Sequence, residues 1–330
     1  MHKIAFICQP EYFRFCYEYA LNDIFDVYEV PYNFNMTYND LSYLENIDAD
    51  FNFFFRGEFV PDELLRSLKG VKINLSSEPF PRHINNKLNY SYDSFKRYFA
   101  FSEIRNKKFD YVFHYDEASL PFLKNGGLLL SGSIAFPVAT DIYKPLETEK
   151  LWDLFFIGRS TNHREDYFSY LKHMYNFLHI AHGIWGPQLV EYLNMSRICL
   201  NIHAENEVSW EPRLQMLLAT GAFVISEKIT PNTILRPNID YVEINTPREL
   251  REAVGYYLSH PEERRVISEN GLTRVKELLD AKKTFVNLIS DLEENRYPRF
   301  EVRSGNLQMK SLNWIYRVMN STIKCFNRTG

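Results

Sequence analysis

Short apolar runs alternate with stretches of helical spacing along most of this chain, and the alternation starts twice. KIAFIC (3–8), FDVYEV (25–30), FNFFF (51–55), VKINL (71–75) and DYVFHY (110–115) have the length and the β-branched or aromatic content of buried strands. Segments 11–22, 38–46, 60–68 and 116–124 between them carry helical spacing. A stretch with Pro137, Pro145 and a polar run, SGSIAFPVATDIYKPLETEK (131–150), suits an interdomain linker. Beyond it the pattern resumes with LWDLFFIG, FLHIAH, RICLNIH, GAFVIS and DYVEI. Strands that alternate with helices predict parallel sheets covered on both faces. A chain of 330 residues exceeds one ordinary core. The expectation is an α/β protein of two doubly wound domains in series, at 1–145 and 151–295, followed by a distinct tail at 302–330.

That tail differs in kind. From Val302 to Gly330 there is no Asp or Glu, but Arg303, Lys310, Arg317, Lys324 and Arg328 are present. Met309, Leu312, Tyr316, Met319, Ile323 and Phe326 recur at steps of three and four, which predicts one helical seam with basic residues along its flank. Such a helix suits an anionic membrane surface, giving peripheral contact through 302–330, and equally suits closure over the first domain.

Composition narrows the partners. Net charge is -4, so the bulk balance does not point to nucleic acid. Aromatic residues make up 16%, which fits a Phe- and Tyr-rich core and is compatible with sugar-stacking surfaces. The four cysteines (Cys8, Cys16, Cys199, Cys325) are scattered, and Cys8 and Cys199 fall inside apolar strands, as expected in a reducing compartment. MHKIAFICQPEYF begins as a strand, without the pattern of a secretory leader, and no run is long enough to span a bilayer. A cytoplasmic location follows, at the inner face of the membrane if the tail binds lipid.

Ligands of open α/β sheets bind beyond the carboxyl ends of the strands. In the second half that edge collects ICLNIHAENEV, with His203, Glu205 and Glu207, and then SWEPRLQMLLATGAFVISE, a helix that starts near Arg213, ends at Gly221 and leads into a strand closing with Ser226 and Glu227. Together with LFFIGRSTNHREDYFSYL, WGPQLVEYLNMSRICLNIH and PRELREAVGYYLSHPEERRVISENGLTRV, these segments resemble, in order over roughly 151–280, the C-terminal domain of CgeB-like (spore-maturation-type) GT-B glycosyltransferases. Over 1–150 the likeness is one of layout only. The resemblance implies two Rossmann-like domains facing a cleft, a nucleotide-sugar donor held mainly by the second and an acceptor met by the first. It implies no cofactor beyond that substrate.

Sugar transfer leaves negative charge on the departing phosphates, which cations and backbone N–H groups must meet where no metal does. The candidate donor contacts are Gly158 and Arg159 after the strand LFFIG, Trp185 in GIWGP, His203, Glu207, Arg213, Gly221 and Glu227. Arg164 is a further candidate, although HRED also reads as an exposed helix start. Trp185 would stack on the base or simply pack, and His203 would face the phosphates or serve as hydrogen-bonded structure. Relatives place a Glu five residues before the glycine to hold the ribose; here that position is Met216, with Val208 at the position of a second Glu eight residues earlier. Either Gln215 or Glu227 would then supply the ribose contact, or the donor site is altered. For the acceptor's proton the candidates are Glu11 and Glu78, then Glu58 and Asp116, each after a strand of the first domain. No His, Cys and Asp cluster has metal-ligand spacing, so no metal is expected. The reading is a metal-independent glycosyltransferase acting on a glycan or lipid-linked saccharide, with a non-catalytic nucleotide-sugar-binding relative as the alternative.

Overall fold

The computed structural model describes residues 1–330 except 86, 206–211, 230–231, 307–308, 310 and 312–330. Contacts divide the chain into two compact units. The first comprises His2–Cys8, Tyr28–Ile134 and Asn295–Gly330; the second comprises Met1, Gln9–Val27 and Ala135–Glu294.

The first unit is built on strands β1 (Lys3–Cys8), β2 (Asp26–Pro31), β3 (Phe51–Phe55), β4 (Val71–Ser76), β5 (Tyr111–His114) and β6 (Gly132–Ser133), in the order β2-β1-β3-β4-β5-β6. β3 is buried at every residue, as a central strand with both faces covered must be. Phe6 lies beside Phe53 with their rings stacked at 5.4 Å, and Phe53 lies beside Ile73. Ala5, Ile7, Phe54 and Val112 meet Leu64, Leu65, Tyr98, Phe101 and Leu123 from the covering helices. One of these, Tyr92–Phe101, was not apparent in the spacing; Ser91 caps it, accepting from Ser94 N at 3.0 Å.

Two expectations change here. The segment 131–150 starts as sheet rather than linker, because Gly132 and Ser133 pair with Phe113 and His114. The tail does not start as a helix at Val302: Glu301–Val302 pairs antiparallel with Leu128–Leu129. Met309 is buried in this unit's core, and the rest of the predicted seam, Leu312 to Phe326, lies outside the described residues. Among the described residues no helix is long and apolar enough to cross a membrane.

The second unit carries a fully parallel sheet of β7 (Trp152–Ile157), β8 (Phe177–Ile180), β9 (Ser196–Asn201), β10 (Val224–Glu227) and β11 (Val242–Ile244), ordered β8-β7-β9-β10-β11. Helices α1 (Asn162–Met174), α2 (Gly186–Asn194), α3 (Arg213–Ala219), α4 (Pro247–Ser259), α5 (Pro261–Leu278) and α6 (Ala281–Glu293) connect and close it. Leu154, Phe156, Phe168, Leu171, Leu200 and Ile225 form the core of one face. Each helix between strands returns the chain to the amino edge, so the carboxyl edge is left to loops. The strand order reverses between β8 and β9 around β7, which makes the ends of β7 and β9 a topological switch point. Gln9–Val27 belongs to this unit too, where the short helix Pro10–Phe13 leads to Phe15, whose carbonyl accepts from Ala139 N at 2.7 Å.

Candidate active site

At the switch point three strand ends are braced by buried polar side chains. Arg213, in the first turn of α3, donates from Nη1 to Ile157 O at 2.6 Å, from Nε to Asn201 Oδ1 at 3.1 Å and from Nη2 to Ile202 O at 3.3 Å. Asn201 donates on to Ser226 Oγ at 2.9 Å. Arg164, buried in α1, donates from Nε to the same Ile202 O at 3.0 Å and from Nη1 to Arg159 O at 2.9 Å. The two guanidinium groups lie 4.7 Å (Arg213) and 5.0 Å (Arg164) from the ring centroid of Phe156. HRED is therefore not an exposed salt-bridged start at its arginine: Thr161 caps α1, accepting from Arg164 N, and Arg164 turns inward.

Gly158 follows β7 with φ +143°, and a Cβ there would lie 2.8 Å from Arg213 Nη1. Only glycine lets the guanidinium pass so close to the strand end. His179 fixes the same loop, with Nε2 2.8 Å from Gly158 O. Arg159 is exposed beside the amino terminus of α1, with no carboxylate against its side chain among the described residues. It joins the backbone N–H groups of α1 at that edge, where an anion is favoured.

Glu227 ends β10 almost fully buried. Its Oε1 accepts from Tyr167 OH at 3.0 Å and lies 2.9 Å from His163 Nε2; its Oε2 accepts from His203 N at 2.8 Å. Burial, together with the contact to Glu227, pushes the Tyr167 phenol's pKa up. His203 is buried, its Nε2 3.0 Å from Lys228 O. His163 was not among the sequence candidates. An i,i+4 partner for Tyr167 on a capped helix was visible, but Glu227 is 64 residues away and nothing in the pattern linked them.

Beside Arg213 opens a cavity of about 210 Å³ lined by Glu11, Tyr12, Tyr143, Trp185 and Met216, with Ile157 and Ile184. Trp185 is 44% exposed at the start of α2, and Gly186 after it takes φ +54° while donating from its N to Tyr143 OH at 3.2 Å. The structure thus brings Glu11, Trp185 and Arg213 to one cavity, and Met216 stands in its wall. Gln215 is fully buried, its amide donates to Phe136 O, and it is not part of that cavity's lining.

Other candidates are not brought there. Gly221 ends α3 with φ +69° and shares a cavity of about 430 Å³ with Pro145, Lys150, Ser196 and Arg197 at the amino edge of the sheet. The reason is topological: a helix returning from the carboxyl edge ends at the opposite one. Cations gather there to meet helix carboxyl ends, Lys150 donating to Asn194 O at 2.5 Å and Arg264 to Leu258 O at 3.1 Å. Burial and the neighbouring arginines Arg264 and Arg197 pull the Lys150 pKa down. Glu207 lies outside the described residues.

Glu78 belongs to the first unit, where Oε1 accepts from Arg56 at 2.6 Å and Oε2 from Arg97. Glu58, buried nearby, accepts from Arg56 Nε at 3.2 Å, and desolvation pushes its pKa up. Asp116 is buried against Arg82 at 3.3 Å, and burial pushes its pKa up too. The chain's Asp-x-Asp pair, Asp48 and Asp50, precedes β3 at the amino edge, where Asp48 pairs with Lys69 and Asp50 accepts from Lys3 N. Among the described residues no group of three or more His, Cys, Asp or Glu is placed to hold a metal ion.

Residues 152–290 match the glycosyl transferase-like family. A comparison with curated proteins finds no match in sequence. Among solved structures, the chain is similar to sucrose-phosphate synthase from Thermosynechococcus elongatus, at TM-score 0.58 and 10% identity, covering 89% of this chain and 100% of that one. It is similar to an alpha-glucosyltransferase solved with UDP and DNA, at TM-score 0.57 and 10% identity, covering 88% and 98%. It is also similar to Anabaena HepE solved with UDP-glucose, at TM-score 0.56 and 11% identity, covering 89% and 100%. The fold is that of the GT-B glycosyltransferases: mixed α/β with parallel sheets.

Proposed function

We propose that this protein transfers a sugar from a nucleotide-sugar donor to a hydroxyl group of a glycan or lipid-linked saccharide, without a metal ion. The observation that carries the proposal is the cavity walled by Trp185 and Met216, set directly beside Arg213 at the switch point of the family-matching sheet. Trp185 offers an exposed indole for a base to stack on. Gly158, Arg159 and the amino terminus of α1 receive the diphosphate, and Arg213 holds the strand ends in place beneath it. His203 and Glu227 define the loop edge next to them. HepE and the alpha-glucosyltransferase were solved with UDP or UDP-glucose, which makes UDP the first donor nucleotide to try.

For the acceptor's proton we favour Glu11, exposed and on the cavity wall, over Glu78, whose two oxygens both accept from guanidinium groups. The bond from the anomeric carbon to the phosphate oxygen breaks with its electron pair on that oxygen. The acceptor oxygen bonds to the anomeric carbon, and Glu11 takes its proton. The resemblance to CgeB-like glycosyltransferases, and the basic residues Arg317, Lys324 and Arg328 of the tail, support a cell-envelope acceptor; binding of the full chain to anionic vesicles that a chain ending at Glu301 loses is the expected result.

Thermal unfolding with UDP, GDP, CMP, dTDP and ADP, with and without magnesium, tests the donor site. A shift from one nucleotide that does not need magnesium, and that Arg159→Gln reduces and Trp185→Ala abolishes, is the expected result. A flat panel overturns the proposal. Met216 in the cavity wall supports a second reading, a chain that binds the nucleotide without turnover; nucleotide release from the bound nucleotide-sugar distinguishes the two.

A further inference from the structure

The Glu227–His163 contact joins two elements at the carboxyl edge and has no role in the proposal so far. Glu227 closes β10, while His163 sits in the first turn of α1, four residues beyond Arg159. The carboxylate oxygen that faces His163 Nε2 also accepts from Tyr167, and the other oxygen is held by His203 N. The acceptor is therefore anchored from three sides. The ring is further steadied by Tyr167, its centroid 5.2 Å away. An imidazole whose Nε2–H is committed to a carboxylate presents Nδ1 on its far side, and as imidazolium it donates there.

Two opposed fields act on this ring. The amino terminus of α1 favours an anion nearby and disfavours a cation, while Glu227 favours the cation. Among the described residues the ionisable groups set against His163 are Glu227 on β10 and Tyr167 on its own helix; Arg164 beside it turns away to Ile202 O and Arg159 O. A carboxylate at the amino end of a helix stabilises a cationic side chain where the backbone already attracts an anion. The combination suits a phosphate group that brings two or more negative charges.

We infer that His163, oriented by Glu227, is a donor-phosphate ligand: its imidazolium hydrogen-bonds the terminal phosphate of the nucleotide-sugar, with Arg159 on the other side. This rests on the nucleotide-sugar reading above. Glu227 is a positioning residue, acting through the ring. When the sugar–phosphate bond breaks, the electron pair stays on the phosphate oxygen that this imidazolium contacts, so the same contact strengthens as charge develops.

The test is titration calorimetry of the full chain with UDP and with inorganic pyrophosphate from pH 5.5 to 8.5, for the wild type, His163→Gln and His163→Lys, with unfolding curves recorded alongside. UDP affinity falls as pH rises from 5.5 to 8.5. In His163→Gln it is about tenfold weaker at the acid end and loses most of that dependence. In His163→Lys, a cation throughout, affinity is kept and the pH dependence is lost, a rescue that a merely structural histidine would not show. UDP binding that His163→Gln leaves unchanged at every pH overturns the inference and leaves the nucleotide-sugar reading standing. Pyrophosphate binding that depends on His163 while UDP fails to bind supports the phosphate seat and removes the base-stacking half of that reading. Binding of neither probe by the wild type ends both.

Discussion

Arg164 and Arg213 donate to one carbonyl oxygen, that of Ile202, and approach the same ring, Phe156. They come from helices on different sides of β9 in the sequence, and both are buried to 9% exposure or less. Two cations that share an acceptor are not independent, so their removal is not additive. Arg213→Met leaves Ile157 O and Asn201 Oδ1 short of a donor and is expected to destabilise the fold by about 2–4 kcal/mol, several times the cost of a surface change. Arg164→Met with Arg213→Met is expected to cost clearly less than the sum of the single changes. Urea unfolding of the four proteins in that cycle checks it. An additive cycle would mean that the shared carbonyl couples nothing.

Gly158→Ala puts a methyl 2.8 Å from Arg213 Nη1 at a backbone angle that L residues rarely adopt. We expect a loss of about 1–3 kcal/mol from strain and displacement of the guanidinium. Nucleotide affinity should weaken with it. A substitution that lowers the unfolding midpoint but leaves UDP affinity intact would separate the glycine from the ligand.

Met216→Glu puts a carboxylate where the glycosyltransferases that the sequence resembles hold the ribose. Met216 is only partly buried in the cavity wall, so the new group keeps contact with solvent. One added hydrogen bond is expected to tighten UDP binding about tenfold. Trp185 fluorescence should quench on binding in both proteins, and Trp185→Phe should remove that signal. Weaker binding in Met216→Glu would place the ribose elsewhere.

His114 is fully buried in the first unit, stacked on Phe80 with ring centroids 4.6 Å apart, and Nδ1 lies 3.1 Å from Ser76 Oγ. Burial pulls its pKa from 6.5 down to about 3. The unfolded chain therefore takes up a proton that the folded chain refuses, and stability falls as pH drops from about 6.5 toward 3, by about 1.4 kcal/mol per pH unit from this residue. Glu58 acts in the opposite sense: with its pKa raised, its contribution favours the folded state at low pH and is lost as pH rises through the folded value. His114→Phe keeps the stack and should flatten the acid limb of unfolding midpoint against pH. An unchanged limb in that variant would assign acid sensitivity to other groups.

Strand positions were legible because a strand buried on both faces, such as Phe51–Phe55, leaves an apolar run with no polar interruption. The end of α3 was legible because Gly221 takes φ +69° there. Its place was not: which edge of a sheet a glycine reaches depends on the direction of the helix before it. The inward turn of Arg164 was hidden for a related reason, since HRED has the composition of an exposed helix start and the acceptor, Ile202 O, is a backbone atom that no side-chain pattern reveals. Glu227 was found as a strand-end carboxylate, but its partners His163 and Tyr167 come from a helix two strands away in sequence. Pairs that fold brings together across such distances carry no local period.

The chain visits the second unit at Gln9–Val27, leaves, and returns at Ala135. A fragment starting at residue 151 would contain all five strands of that sheet and the whole family-matching segment, yet would lack Glu11 and Tyr12 from one wall of the cavity. Such a fragment should fold around its own core and bind nucleotide poorly, and a synthetic peptide spanning 9–27 should restore part of that binding when added back. The lining of this cavity is thus split between an early excursion of the chain and its later half, so no single proteolytic cut can isolate it.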